Sequence, residues 1–220
     1  MEYDKSLLKF ITEQCPKKAS RVLEVAVGTG YPFADYLSNG GYEVHGIDLS
    51  PDLIRECSQF NPHIHCKVGD AEHLEYADSF FDFAYCVHSS WYIPDLQKAI
   101  REMMRVVRPG GGVLFDVQNV RNAYIYAIYR KHIFHNTHWA GMAVKTARNF
   151  VKFVSRRGIQ DWPFVVSEVP SDPVDVIRYL KETNPQRITV MARVDEGALR
   201  VVEDETANFP DRYQLFLFHY

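Results

Sequence analysis

Residues 22 to 30 read Val-Leu-Glu-Val-Ala-Val-Gly-Thr-Gly, and no other stretch restricts the possible folds so tightly. Val22, Leu23, Val25 and Val27 are too densely apolar for a half-exposed strand and suit the middle of a parallel sheet. Gly28 and Gly30 carry no Cβ, so the backbone can turn sharply there and come close to a ligand. Pro32 suits the first turn of a helix whose apolar face is Phe33, Ala34, Tyr36 and Leu37. Strand, glycine turn and helix, in that order, make the kind of switch point at which open α/β sheets bind ligands.

The turn alone does not say which ligand. A dinucleotide turn has a third glycine where this chain has Phe33, and a phosphate-cradling loop would need a lysine after its glycines, which is absent. Three acids narrow the choice. Glu24 lies inside the first strand, Asp48 ends the apolar run that starts at Tyr42, and Asp70 follows a third run in Val68-Gly69-Asp70-Ala71.

With these residues the chain resembles the Rossmann-like (class I) S-adenosylmethionine-dependent methyltransferases, in particular the small single-domain group that includes quinone methylators. In that family an acid followed by spaced glycines wraps the methionine part of the cofactor. A second acid takes the ribose hydroxyls, and a third takes the adenine amine. The matching cofactor-binding positions are Glu24, Ala26, Gly28, Thr29 and Gly30, then Asp48 with Leu49, then Asp70 with Ala71. Ala26 stands where the first glycine usually sits, the mildest replacement available. The resemblance continues through Phe80 to His88 as a fourth strand and through Ile100 to Gly111 as a helix with an Arg-Pro-Gly-Gly turn. It is dense over about residues 20 to 118 and holds only in outline beyond.

The pattern along the chain agrees. A short amphipathic helix over 4–15 comes first. Ser50-Pro51-Asp52 then opens a helix that stops near Asn61-Pro62, with a strand over 63–68 behind it. Pro94 opens the next helix, and Gly110-Gly111-Gly112 turns into a strand over 113–117. This alternation predicts a doubly wound, mostly parallel α/β sheet. The stretches 119–134 and 139–157 read as two helices, a cap inserted over about 119–170. After a helix opened by Asp172-Pro173, the stretches 187–194 and 213–220 read as strands on either side of an acidic, turn-rich segment. The resemblance implies seven strands, the last antiparallel, in one domain over 1–220.

Composition bounds the rest. No apolar run reaches the roughly 18 residues of a membrane span. The polar, acidic start is unlike a leader peptide, so a cytoplasmic chain is expected. Cys15, Cys57, Cys66 and Cys86 show no Cys-x-x-Cys spacing and read as reduced, mostly buried thiols. The formal charge of −3 is unevenly spread: between Val117 and Gln160 there is no acid, yet there are eight basic residues. On the second predicted helix Lys145, Arg148, Lys152 and Arg156 share a face, either solvated over the pocket or receiving an anionic acceptor, a lipid surface or RNA. No separate nucleic-acid module is visible.

Methyl transfer is an in-line displacement that needs alignment and exclusion of water, and needs a base only where the acceptor must lose a proton. His88 ends the fourth strand at the family position bordering the methyl group. It is the candidate catalytic base or substrate contact, or else a strand-end residue packed on the cofactor. His132, His135 and His138 are spaced by three without acids nearby, and His63 and His65 share a strand without an evident third ligand, so no metal is expected. The expected function is therefore methyl transfer to a small-molecule acceptor, with an anionic or lipid-like acceptor as the narrower form. RNA or protein methylation and a non-catalytic cofactor-binding module are the alternatives. A nicotinamide oxidoreductase is disfavoured by Phe33 and Asp70.

Overall fold

In the computed structural model, residues 5–15, 20–122, 171–193, 199–201 and 213–219 are described. Helices are α1 (Lys5–Gln14), α2 (Phe33–Asn39), α3 (Pro51–Phe60), α4 (Leu96–Val106) and α5 (Pro173–Glu182). Strands are β1 (Arg21–Val25), β2 (Glu43–Asp48), β3 (His65–Val68), β4 (Phe81–Cys86), β5 (Val107–Gln118), β6 (Arg187–Arg193), β7 (Leu199–Val201) and β8 (Tyr213–His219). They form one sheet in the order β3-β2-β1-β4-β5-β8-β6-β7.

β1 to β5 pair in parallel, and β8 enters antiparallel between β5 and β6. The seven expected strands are therefore present and the last is antiparallel as expected, but it lies inside the sheet, paired on both sides, and not at the edge. An eighth, the three-residue β7, extends the edge beside β6 from within the acidic segment.

Alternation along the strands buries both faces of the sheet. Leu23 and Val25 of β1 join Ile100, Met103, Ile177, Leu180, Phe216 and Phe218 beneath α4 and α5. Val22 and Val27 join Leu7, Ile11, Phe33, Leu37, Cys57, Phe83, Leu215 and Leu217 beneath α1, α2 and α3. A strand buried on both faces has no room for polar alternation, which is why β1 reads as a continuous apolar run.

Local signals placed several boundaries well. Ser50 caps α3 by accepting the Leu53 N–H at 3.3 Å, with Pro51 at the first position. At α4 the expectation shifts by two residues: Asp95, not the Pro94 region, caps the helix by accepting the Lys98 N–H at 2.9 Å. The Arg-Pro-Gly-Gly segment does not precede β5 but lies within it. Register slips between the Phe81–Val107 and Phe83–Gly112 pairs, and Gly110 takes φ +78°, so the four residues form a bulge.

Two cysteines depart from expectation. Cys57 of α3 and Cys66 of β3 are joined as a disulfide, because the helix folds back over its following strand and brings their Cα atoms to 6.7 Å. Cys15 and Cys86 are free and buried, as expected; burial pushes the Cys15 thiol up to about 12.

Of the predicted cap, the segment 123–170 lies outside the described residues, but both of its ends are seen. Ser171 donates its N–H to the Gln118 carbonyl at 2.9 Å, and Val120 donates to the Ser171 carbonyl at 3.1 Å. The chain therefore leaves and rejoins the sheet at one point, the C-terminal end of β5.

Candidate active site

The C-terminal ends of β1 to β4 lie along one edge of the sheet, and four of the sequence-predicted elements meet there: the turn, Asp48, Asp70 and His88. The turn starts at Ala26, whose φ is +60°, in the left-handed region that favours glycine. The alanine thus holds the conformation of the glycine it replaces. Gly28 follows at φ +56° and Gly30 at φ +85°. A Cβ placed on Gly28 would meet no described atom within 4 Å, so its backbone faces open space. The Asn61 amide donates to the Thr29 carbonyl at 2.8 Å, so the residue that ends α3 braces the turn.

Asp48 is fixed by the turn it serves. One carboxylate oxygen accepts the Gly28 N–H at 3.0 Å, and the other accepts the Ser50 N–H at 2.9 Å. Each oxygen keeps a further lone pair, so the carboxylate can still receive two hydroxyl donors. Beside it Leu49 is exposed, and the Gly69 N–H donates to the Asp48 carbonyl at 3.0 Å, which brings the β3 loop alongside. Asp70 accepts the Glu72 N–H at 2.8 Å, and Ala71 is buried behind it. That loop is anchored to α4: Glu102 accepts the Leu74 N–H at 2.8 Å, and Arg105 donates to the Leu74 and Tyr76 carbonyls at 2.7 and 2.9 Å.

Glu24 lies beneath the turn and is buried. It accepts the Tyr85 hydroxyl at 2.8 Å and a backbone N–H from Ala34. Burial pushes its carboxyl up to about 8, and the nearby Asp48 adds to this; the two hydrogen bonds oppose the shift without cancelling it.

His88 follows β4 with φ +60°, and its backbone N–H donates to both carboxylate oxygens of Asp116 at 3.0 Å. Its Nδ1 lies 3.6 Å from Asp116 Oδ2, an ion-pair distance that leaves Nε2 as the other ring nitrogen. Asp116, on β5, is buried, and its carbonyl accepts the Ser90 hydroxyl. The Phe33 ring packs 5.9 Å from that of His88 and 6.4 Å from that of Tyr85, which joins the helix after the glycine turn to the β4 end.

Asp116, Tyr85 and Asn61 were not singled out by sequence. For Asp116 a signal existed: an acid within the apolar run Val113–Val117 is as costly to bury as Glu24 and equally needs partners. Lys145, Arg148, Lys152, Arg156, His132, His135 and His138 lie outside the described residues.

The open backbone at Gly28, the spare acceptor capacity of Asp48 and the glycine-like conformation of Ala26 fit a nucleoside cofactor that carries an amino-acid tail. Residues 23–115 match the family model for a methyltransferase domain. The chain is 29% identical to a ubiquinone biosynthesis O-methyltransferase of Coxiella burnetii over 163 residues, 70% of this chain and 66% of that one. It is 37% identical to a malonyl-[acyl-carrier protein] O-methyltransferase of Erwinia pyrifoliae over 102 residues, 46% of this chain and 38% of that one. The matches therefore span less than two thirds of these relatives. Among solved structures, a SAM-dependent methyltransferase from Thermotoga maritima superposes with a TM-score of 0.61 at 16% identity, covering 97% of this chain and 87% of the other. The PH0226 protein from Pyrococcus horikoshii does so at 0.62 and 18%, covering 98% and 88%. At such identities these two speak for the fold.

Proposed function

From the match of residues 23–115 to the methyltransferase-domain model and the Rossmann-like fold, we propose that the chain is an S-adenosylmethionine-dependent methyltransferase that methylates a small-molecule acceptor at oxygen. The observation that carries the reading is the placement of His88, backed by the buried Asp116, on the same sheet edge as the glycine turn and Asp48. S-adenosylmethionine, when bound, supplies an electrophilic methyl group on a sulfonium. Asp48 would hold the ribose hydroxyls, the Gly28 to Gly30 backbone would take the amino-acid tail, and Asp70 with Ala71 and Leu49 would border the adenine.

As the sulfonium–methyl bond broke to leave a neutral thioether and the acceptor oxygen took the methyl group, His88 would take the hydroxyl proton, and Asp116 would steady the resulting imidazolium at Nδ1. Asp116 also holds the backbone of His88 in its left-handed conformation, so it acts as a positioning residue for that step.

The narrower form of the proposal is an acceptor with an anionic or lipid-like part received by Lys145, Arg148, Lys152 and Arg156, supported by the absence of acids between Val117 and Gln160. Charge reversal at Lys145, Arg148 and Lys152 would then raise KM for the acceptor and leave cofactor affinity unchanged.

The test is label transfer from methyl-labelled S-adenosylmethionine in cell extract, followed by separation of small metabolites, lipids, RNA and protein. Label in the small-molecule or lipid fraction that Asp48→Ala abolishes is the expected result, with Asp116→Asn lowering kcat and shifting its pH profile. Label in RNA or protein, or cofactor binding without any transfer, would reject the proposal.

A further inference from the structure

At the other end of β2 from Asp48, three side chains converge that the proposed reaction does not use. Glu43 and His45 are two residues apart on β2 and so share a face, and His65 of the edge strand β3 pairs in register with His45. Glu43 Oε1 lies 3.2 Å from His45 Nε2, and the His45 and His65 rings lie 4.7 Å apart between centroids. One ligand atom from each of the three falls within 4.8 Å of the other two. Ligands about 2.1 Å from a tetrahedral ion sit about 3.4 Å from one another, so small side-chain rotations close the triangle around a metal.

We propose that Glu43, His45 and His65 bind one zinc-class divalent cation, which ties the edge strand β3 to β2. Two imidazoles and a carboxylate favour zinc, copper or nickel over magnesium or calcium, and three protein ligands leave a fourth position for water.

The surroundings suit such a site. His45 is held among the rings of Tyr76, Phe80 and Phe81, with centroids 5.7, 5.5 and 5.2 Å away, which fixes one ligand in an apolar wall. Glu43 and His65 are exposed, giving the ion an approach from solvent. The neighbouring cations have other engagements: the Arg21 guanidinium lies over the Phe80 ring at 4.4 Å, and the Lys67 ammonium lies over the Tyr76 ring at 4.0 Å while donating to the Glu75 carbonyl. Three to five residues of extended strand, about 10–16 Å, separate this cluster from Asp48, so it stands or falls independently of the methyl-transfer reading.

The experiment is calorimetric titration of the chelator-treated full chain with zinc, for the wild type, His65→Gln and Glu43→Gln, with thermal melts with and without zinc. Cobalt(II) absorption reports the coordination geometry. The wild type should bind one equivalent and melt higher with zinc. Each variant should lose more than the 10- to 100-fold that removal of an outer-shell partner costs, together with the melting shift. Both substitutions are at exposed positions, and matching circular dichroism spectra verify that the variants fold. Absence of zinc binding by the wild type, or equal affinity and stoichiometry in both folded variants, would overturn the proposal.

Discussion

A carboxyl group that titrates near pH 8 should make this fold less stable as pH rises through neutrality, and Glu24 is that group. In the unfolded chain it ionises at its ordinary 4.5; in the folded chain burial raises that to about 8. Between those values the native state holds one proton more than the unfolded state, so unfolding free energy falls by about 1.36 kcal/mol per pH unit. Below about 4.5 both states are protonated and above about 8 both are ionised, so the loss is confined to that window. From pH 5.5 to 7.5 it amounts to about 2.7 kcal/mol, a large part of a typical domain's stability. Glu24→Gln keeps the shape and the acceptor for the Tyr85 hydroxyl but cannot ionise. Urea unfolding of both proteins at half-unit pH steps isolates the contribution as the difference between the two curves. That difference should favour the wild type or be small at pH 5 and favour the Glu24→Gln variant progressively toward pH 8. A flat difference, or one of opposite slope, would refute the argument that burial dominates the carboxyl's environment.

Two further substitutions test the backbone of the site. Ala26→Gly should raise stability by roughly 0.5–1 kcal/mol: an alanine at φ +60° costs about 1–2 kcal/mol, and glycine's extra freedom in the unfolded chain returns part of that; a lower urea midpoint would contradict it. Gly46→Ala should destabilise by about 1–3 kcal/mol, because its Cβ would lie 2.7 Å from Cγ2 of the buried, stiff Val27 beside the turn; an unchanged melting temperature would show that β1 and β2 can part without cost.

What the sequence by itself determined is what neighbours along the chain decide. The apolar density of β1, the glycines after it, the Ser50-Pro51 start of α3 and the Asp172-Pro173 start of α5 are local, and each lies where its pattern places it. Asp48 and Asp70 were legible for the same reason: a parallel strand delivers the residue after its C-terminal end to one known edge of the sheet.

Only the tertiary structure decided which side chains meet across strands and helices. His88 finds Asp116 from 28 residues away, and Glu24 finds Tyr85 from 61. Cys66 meets Cys57 because α3 folds back over β3, and His65 lies not with His63, which falls outside β3, but beside Glu43 and His45 of the adjoining strand. Register between strands sets these pairings, and register follows from how both faces of the sheet are buried at once, a property of the packed whole that no local window contains.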